Sequence, residues 1–328
     1  MAFGQEFASQ MSLCRFHDGQ WDTPKLGSVE PIPFHPSAHV LHYSSTCFEG
    51  MKAYAWADGS VRLFRPDRNI ARMQASAESL CLPVPSTELL NGMIRSAVDA
   101  AREEIPTAPG SLYIRPTLIG TDHNIGGAGK PADEALLFVL LSPVGDYFTG
   151  GVRPLKLLID VDNMRSTPRF GQVKTGGNYA AALGSVVQAR AEHDADQVLF
   201  CPNGDVQETG AANFLLIHEG CVFTKPLDGS ILAGVTRDSI LTLCQDRGLT
   251  LEDRHYSVDD LMAMLPNAEA MLTGTAAVVS PVGSMIFDGE THLIGDGQPG
   301  EITMALREQL TDIQQGRAED PHGWTSVL

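Results

Sequence analysis

VKTGGNYAAALGSVVQA, Val173–Ala189, is the stretch on which the fold reading turns. One lysine, Lys174, is followed by Thr175 and the pair Gly176-Gly177. Asn178 comes next, a residue type whose side chain accepts backbone hydrogen bonds at helix starts. Leu183, Val186 and Val187 then recur at a spacing that predicts an amphipathic helix. The stretch therefore reads as loop, glycine hinge and helix, with Asn178 as the N-cap. The glycines leave room for a flat ligand to approach Lys174. At the root of an apolar helix an ammonium has few routes to solvent, and its neutral form suits Schiff-base or proton-transfer chemistry. A surface cation beside a turn is the plainer alternative.

The remainder of the 328 residues bounds what that lysine can serve. The length predicts about two domains. Apolar residues at 43% and charged residues at 19% are ordinary for a chain with a large core. A formal charge of -17 argues against nucleic acid and anionic membranes as partners, since both demand a basic face. The start, MAFGQEFASQM, lacks the basic and apolar runs of a signal peptide. The longest apolar run, Ala135 to Leu141, is too short to cross a bilayer and reads as a buried strand. Six cysteines without a Cys-x-x-Cys predict reduced thiols in a cytoplasmic protein, with no metal site.

Upstream of the lysine, Pro31, Pro33 and Pro36 predict extended backbone and no helix joining His35 to His39, which removes the metal reading of those histidines. Asp58-Gly59 between two strand-like runs predicts a hairpin. Arg68–Leu80 reads as a helix whose Arg72 lies beside the apolar face, able to fork onto a phosphate or else simply solvated. Leu89–Ala101 carries a clean helical stripe. In SLYIRPTLIG, residues 111–120, alternation places Tyr113 and Arg115 on one side, suited to a carboxylate, while Pro116 predicts an edge strand or a bulge. The glycine-rich loop GTDHNIGGAGKPAD, residues 120–133, is long enough to be functional or to contact a partner. We place a linker at 145–154, between a domain over 1–144 and another over 155–328. Downstream, QVLFCPNGDVQETGAANFLLI predicts strand, Asn-Gly turn, strand, glycine break and strand. Glu208, at the end of its second strand, is a surface carboxylate or a buried one with a cationic or proton-donating partner. Gly234 before Val235 and Thr236, and Gly274 before Thr275, are two places where backbone amides meet an anion. The block Asp288–Gly300 is rich in turn residues, and a helix over Glu301–Gln315 follows.

A lysine, a carboxylate at a strand end, an arginine and two anion sites are the parts a pyridoxal phosphate enzyme needs. The chain also resembles, nearly end to end, the branched-chain amino acid aminotransferases of the fold type IV pyridoxal phosphate class. The motifs carrying the likeness stand in one order: AFGQEF, LHYSSTCFEGMKAY, RLFRPDRNIARM, SLYIRPTLIG, ALLFVLLSPVGDYF, VKTGGNYAA, ETGAANF, LAGVTRDSIL and TGTAAVVSPV. The resemblance implies an α/β (α+β) fold with a smaller N-terminal α/β domain, a larger C-terminal pseudo-barrel domain and the active site between them. It implies pyridoxal 5'-phosphate bonded to Lys174, Tyr179 on the ring oxygen and Glu208 facing the pyridine nitrogen. Arg72, Val235, Thr236 and Thr275 match phosphate-holding positions. Phe3, Phe48, Tyr113 and Tyr147 match the wall around the substrate side chain. Arg115, with Thr275 and Ala276, matches the carboxylate-receiving region. Tyr43 and the loop near Gly127 are implied to reach a second subunit, hence a homodimer. The implied reaction moves the amino group of leucine, isoleucine or valine to 2-oxoglutarate. Where animal members carry a Cys-x-x-Cys pair, this chain has Ala277 and Ser280, so no thiol switch is expected. Ala211 and Gly127 replace a threonine and a valine and are expected to enlarge or soften the pocket. D-Amino acid aminotransferases and aminodeoxychorismate lyases share the lysine and glutamate, and a phosphate-ligand binding protein without catalysis is the remaining alternative.

Overall fold

The structure, a computed structural model, describes residues 3–145 and 150–328. In chain order it contains strands β1 (Gln10–His17), β2 (Gln20–Trp21) and β3 (Lys25–Ser28), helix α1 (His39–Tyr43), strands β4 (Thr46–Phe48), β5 (Met51–Ala55) and β6 (Val61–Phe64), helices α2 (Pro66–Ser79) and α3 (Thr87–Ala100), and strands β7 (Ser111–Gly120) and β8 (Ala135–Val144). Then come β9 (Leu155–Asp160), α4 (Gly176–His193), β10 (Gln197–Phe200), β11 (Asn213–His218), β12 (Cys221–Thr224), α5 (Val235–Asp246) and β13 (Thr250–Asp253). The last elements are α6 (Val258–Met264), β14 (Ala268–Gly274), β15 (Val278–Phe287), β16 (Glu290–Leu293), α7 (Glu301–Gln314) and β17 (Thr325–Val327).

Two compact units result. The first takes the N-terminal half of the chain together with Val173–Gly176 and Ile313–Leu328; the second takes Gly150–Gln172 and Gly177–Asp312. In the first, β17-β6-β5-β7-β8-β1-β2 form one sheet, with β3 on β1 and β4 on β7. The tail thus returns to the first sheet, Ser326 pairing with Leu63, instead of staying with the second domain. Helix α3 covers β1 and β8. Its Ser86 Oγ accepts from Leu89 N at 3.1 Å, and its stripe Leu90, Met93, Ile94, Ala97 and Val98 is buried. The Asp58-Gly59 hairpin forms as the turn chemistry predicts, Gly59 at φ 82.

Strand β7 corrects the reading of Pro116. It is central, paired along its length with β8 from Ser111↔Val144 to Gly120↔Ala135. On its other edge β5 covers Leu112–Ile114 and β4 covers Thr117–Ile119. Pro116 sits at the break between them, where its missing N–H removes no ladder bond and its carbonyl accepts from Glu49 N at 2.9 Å. The proline-rich start also holds more structure than expected: β1 to β3 pair there, and α1 begins three residues after Pro36. His35 lies outside α1, and His39 is a satisfied core residue bonded to Ser45 Oγ and Gly127 O. Among the described residues no His, Cys, Asp and Glu cluster could hold a metal.

In the second unit β10-β9-β15-β14-β11-β12-β13 form one sheet, with β16 on β15 inside the block read as turns. Asn203 and Gly204, at φ 54 and 81, make the expected turn. The strand expected after it is reduced to bridges, Leu199↔Thr209 and Glu208↔Asn213. Helix α4 departs most from expectation. It starts at Gly176, so Asn178 lies inside the first turn, 4% exposed, with Nδ2 donating to Phe170 O at 2.9 Å. Its inward residues are Ala182 and Ala189, while Leu183 and Val187 are exposed. No described helix is long and apolar enough to cross a membrane.

Candidate active site

In the first unit the lysine is placed by its backbone. Lys174 N donates to Ser76 Oγ at 3.0 Å on α2, and Lys174 O accepts from Phe48 N at 3.1 Å at the end of β4. The 173–176 segment is therefore stitched between a helix and a strand, and the Lys174 side chain has a fixed root. That side chain is half-buried, its Nζ 4.9 Å from the centroid of the Phe48 ring.

Behind this amine lies a carboxylate that the motif reading passed over. Glu49 is fully buried and accepts from Arg72 through two bonds, Nε to Oε1 at 2.7 Å and Nη2 to Oε2 at 2.8 Å. Asn69 Nδ2 and Gly50 N add donors at 2.7 and 3.1 Å. Burial alone would raise the Glu49 pKa. The Arg72 charge and hydrogen bond, the Lys174 charge and the Asn69 hydrogen bond outweigh it and hold the group ionised, below the usual carboxylate range. Arg72, expected on a phosphate, thus has this fork of its guanidinium on Glu49.

Arg115 and Tyr113 lie on the same side of β7, as alternation requires. Arg115 Nη2 donates to Tyr113 Oη at 2.9 Å, and its guanidinium carbon sits 4.6 Å over the Phe48 ring. Arg115 Nε is buried and has no protein acceptor. The Phe3 ring meets Tyr113 edge-on at 4.8 Å. Glycine at position 50 leaves Tyr113 its place, because a Cβ there would come within 2.1 Å of Tyr113 Oη. Tyr43, at the end of α1, donates to Ile125 O at 2.5 Å. Gly127 lies in the same loop, where a Cβ would sit 3.0 Å from His39. Tyr147 lies outside the described residues.

In the second unit Glu208 is 2% exposed and needs a cationic partner, which proves to be Arg165. Arg165 Nη2 lies 2.7 Å from Oε1 and also donates to Gly171 O at 2.7 Å. Leu232 N donates to the same Oε1 at 2.9 Å, and Asn213 Nδ2 to Oε2 at 2.7 Å. The carboxylate is locked in orientation by three donors. Asn213 also donates to Leu232 O, which ties Glu208 to the loop entering α5. At the start of that helix Gly234 is the N-cap with no capping side chain; a Cβ there would meet Asn213 Oδ1 at 2.0 Å. Val235 and buried Thr236 form the first turn, so its amides keep the positive end of the helix dipole. Thr275 and Ala276 form part of the turn joining β14 to β15. Half-buried Tyr179 is in the first turn of α4.

Comparison with known proteins places this geometry. The family model for amino-transferase class IV matches residues 46–285. The chain is 38% identical to a branched-chain-amino-acid aminotransferase of Mycolicibacterium smegmatis, over 99% of this chain and 92% of that one. It is 36% identical to branched-chain-amino-acid aminotransferase 2 of Bacillus subtilis, over 100% and 92%. Among solved structures, the branched-chain amino acid aminotransferase of Escherichia coli superposes with a TM-score of 0.80 at 26% identity, covering 97% of this chain and 99% of that one. This chain holds a stitched lysine, a buried carboxylate locked in orientation and a bare helix start, its likeness to these relatives runs nearly end to end, and the protein belongs to the class IV aminotransferases.

Proposed function

We propose that this protein transfers the amino group of leucine, isoleucine or valine to 2-oxoglutarate, giving the branched 2-oxo acid and glutamate. The observation that carries the reading is Lys174: its backbone is bonded on both sides, and its amine lies over the ring of Phe48, which also carries the guanidinium of Arg115. A merely structural lysine needs no such company.

Each unit holds groups that suit pyridoxal 5'-phosphate: the first a primary amine, the second a carboxylate oriented by three donors and a helix start with uncapped amides for a phosphate. When bound, the coenzyme supplies a carbonyl carbon for the migrating amino group and an electron-withdrawing ring. Lys174 would hold it through Nζ, and the same nitrogen, once free, would take the proton from the donor's Cα. Glu208, aimed by Arg165, Asn213 and Leu232 N, would face the ring nitrogen and favour its protonated form. Val235, Thr236, Thr275 and Arg72 hold the phosphate, and Tyr179 the ring oxygen. Phe3, Phe48 and Tyr113 wall the side-chain pocket, where each buried methylene contributes about 0.8 kcal/mol. Arg115, with Ala276 and Thr275 beside the carboxylate, receives the acidic partner. Its stacking on Phe48 and bond to Tyr113 let a guanidinium stand in an apolar wall without exposing leucine to an open charge.

The protein acts on small molecules as a homodimer in the cytoplasm. Exposed Leu41 and Ile125, on α1 and the loop that Tyr43 bonds, support the dimer, and six free cysteines support a reducing compartment. The test is a panel of amino donors against 2-oxoglutarate. Leucine, isoleucine and valine are expected to react fastest. Faster turnover of D-alanine, or turnover of no amino acid, would overturn the proposal.

A further inference from the structure

Val278 has φ 63, and among the described residues it is the one β-branched residue in the left-handed region. A branched Cβ is disfavoured there, so the surroundings must impose the conformation. They do so from α7. Arg307 Nη1 donates to Ala277 O at 2.5 Å and to Val279 O at 2.6 Å, the carbonyls on either side of Val278. One nitrogen thus ties the peptide group before Val278 to the one after Val279 and holds the two-residue segment between them, Val278 in its left-handed conformation included. Helix α7 is itself anchored to the same hairpin, since the Glu269 carboxylate on β14 accepts from Ile302 N at 3.0 Å and Thr303 N at 2.7 Å. Glu269 fixes the start of the helix to β14, and Arg307 reaches back to the turn that closes β14 onto β15.

We propose that Arg307 is a positioning residue. By holding Val278 left-handed it sets the shape of the Thr275–Ala277 turn, in which Thr275 and Ala276 receive an anionic group of the coenzyme or substrate. The inference rests on the aminotransferase reading for the identity of that group. The clamp itself does not depend on it.

The test uses the full chain in three variants, Arg307→Met, Val278→Gly and the two combined. Glycine adopts the left-handed region freely, so Val278→Gly removes the need for the clamp. Two quantities are read: the dissociation constant for pyridoxal 5'-phosphate, and hydrogen exchange of the 275–279 amides. Arg307→Met should weaken coenzyme binding by about tenfold and speed amide exchange. The combined variant should match Val278→Gly within about twofold in both. Binding and exchange unchanged in Arg307→Met, or a combined variant as impaired as Arg307→Met, would overturn the clamp. If Arg307→Met does not fold, the comparison of the combined variant with Val278→Gly decides by the same criterion. If the unaltered protein binds no pyridoxal phosphate, the aminotransferase reading fails, and the exchange measurement still decides the clamp.

Discussion

Replacing Glu49 by glutamine isolates the charge that stands behind the lysine. The change keeps the shape and removes the carboxylate charge that faces Arg72, 10% exposed. Breaking a buried pair by removing one partner costs about 3–5 kcal/mol, mostly as the penalty of the stranded ion. At about 2–4 °C per kcal/mol for a unit of this size, the first unit's transition should fall by about 6–20 °C. If the stranded charge causes the loss, Glu49→Gln with Arg72→Met should recover more than half of it, because no unpaired ion remains. The pH dependence follows from the sign of the shift. The folded Glu49 pKa lies below the unfolded value of about 4.3, so the pair stabilises fully above that value. Its contribution is lost as pH falls through the folded value. Calorimetry between pH 3 and 7 should therefore show a flatter acid limb for Glu49→Gln than for the unaltered protein. A single variant melting within about 2 °C of the parent, or a double variant less stable than the single, would refute this account.

Arg165→Met strands Glu208 in the same manner; it should destabilise the second unit by about 3–5 kcal/mol and weaken coenzyme binding, read by thermal melts and equilibrium dialysis. Gly50→Ala places a Cβ within 2.1 Å of Tyr113 Oη and forces that side chain off its 2.9 Å bond to Arg115. The variant should fold, and its KM for 2-oxoglutarate should rise by about tenfold with little change for leucine, as steady-state kinetics will show. Mild peroxide should leave turnover unchanged, since Ala277 and Ser280 carry no thiol; a loss reversed by a reductant would contradict that.

Much of this was legible in the sequence because local chemistry and tertiary structure agree. Alternation along SLYIRPTLIG put Tyr113 and Arg115 on one side, and they bond there. The Asp58-Gly59 and Asn203-Gly204 turns follow from residues that tolerate positive φ. The misses have physical causes. Helix α4 is rich in alanine, so the apolar run from Ala180 to Val187 has too little contrast to fix a phase, and the larger residues Leu183 and Val187 face outward. The buried role of Asn178, a bond to Phe170 O, is indistinguishable by residue type from a cap. Pro116 looked like an edge residue because sequence does not show that two different strands share the far side of β7. Glu49 could have been found: a lone carboxylate inside TCFEGMKAY, between apolar neighbours, requires a partner. Arg165 carries no such signal, since nothing in NMRSTPRF separates it from Arg169.

The most direct test is where the coenzyme attaches. Protein loaded with pyridoxal 5'-phosphate, reduced with borohydride and digested should yield one pyridoxyl-bearing peptide, modified at Lys174, with no label after prior exposure to leucine. A label on another lysine, or none on the untreated protein, would contradict the account.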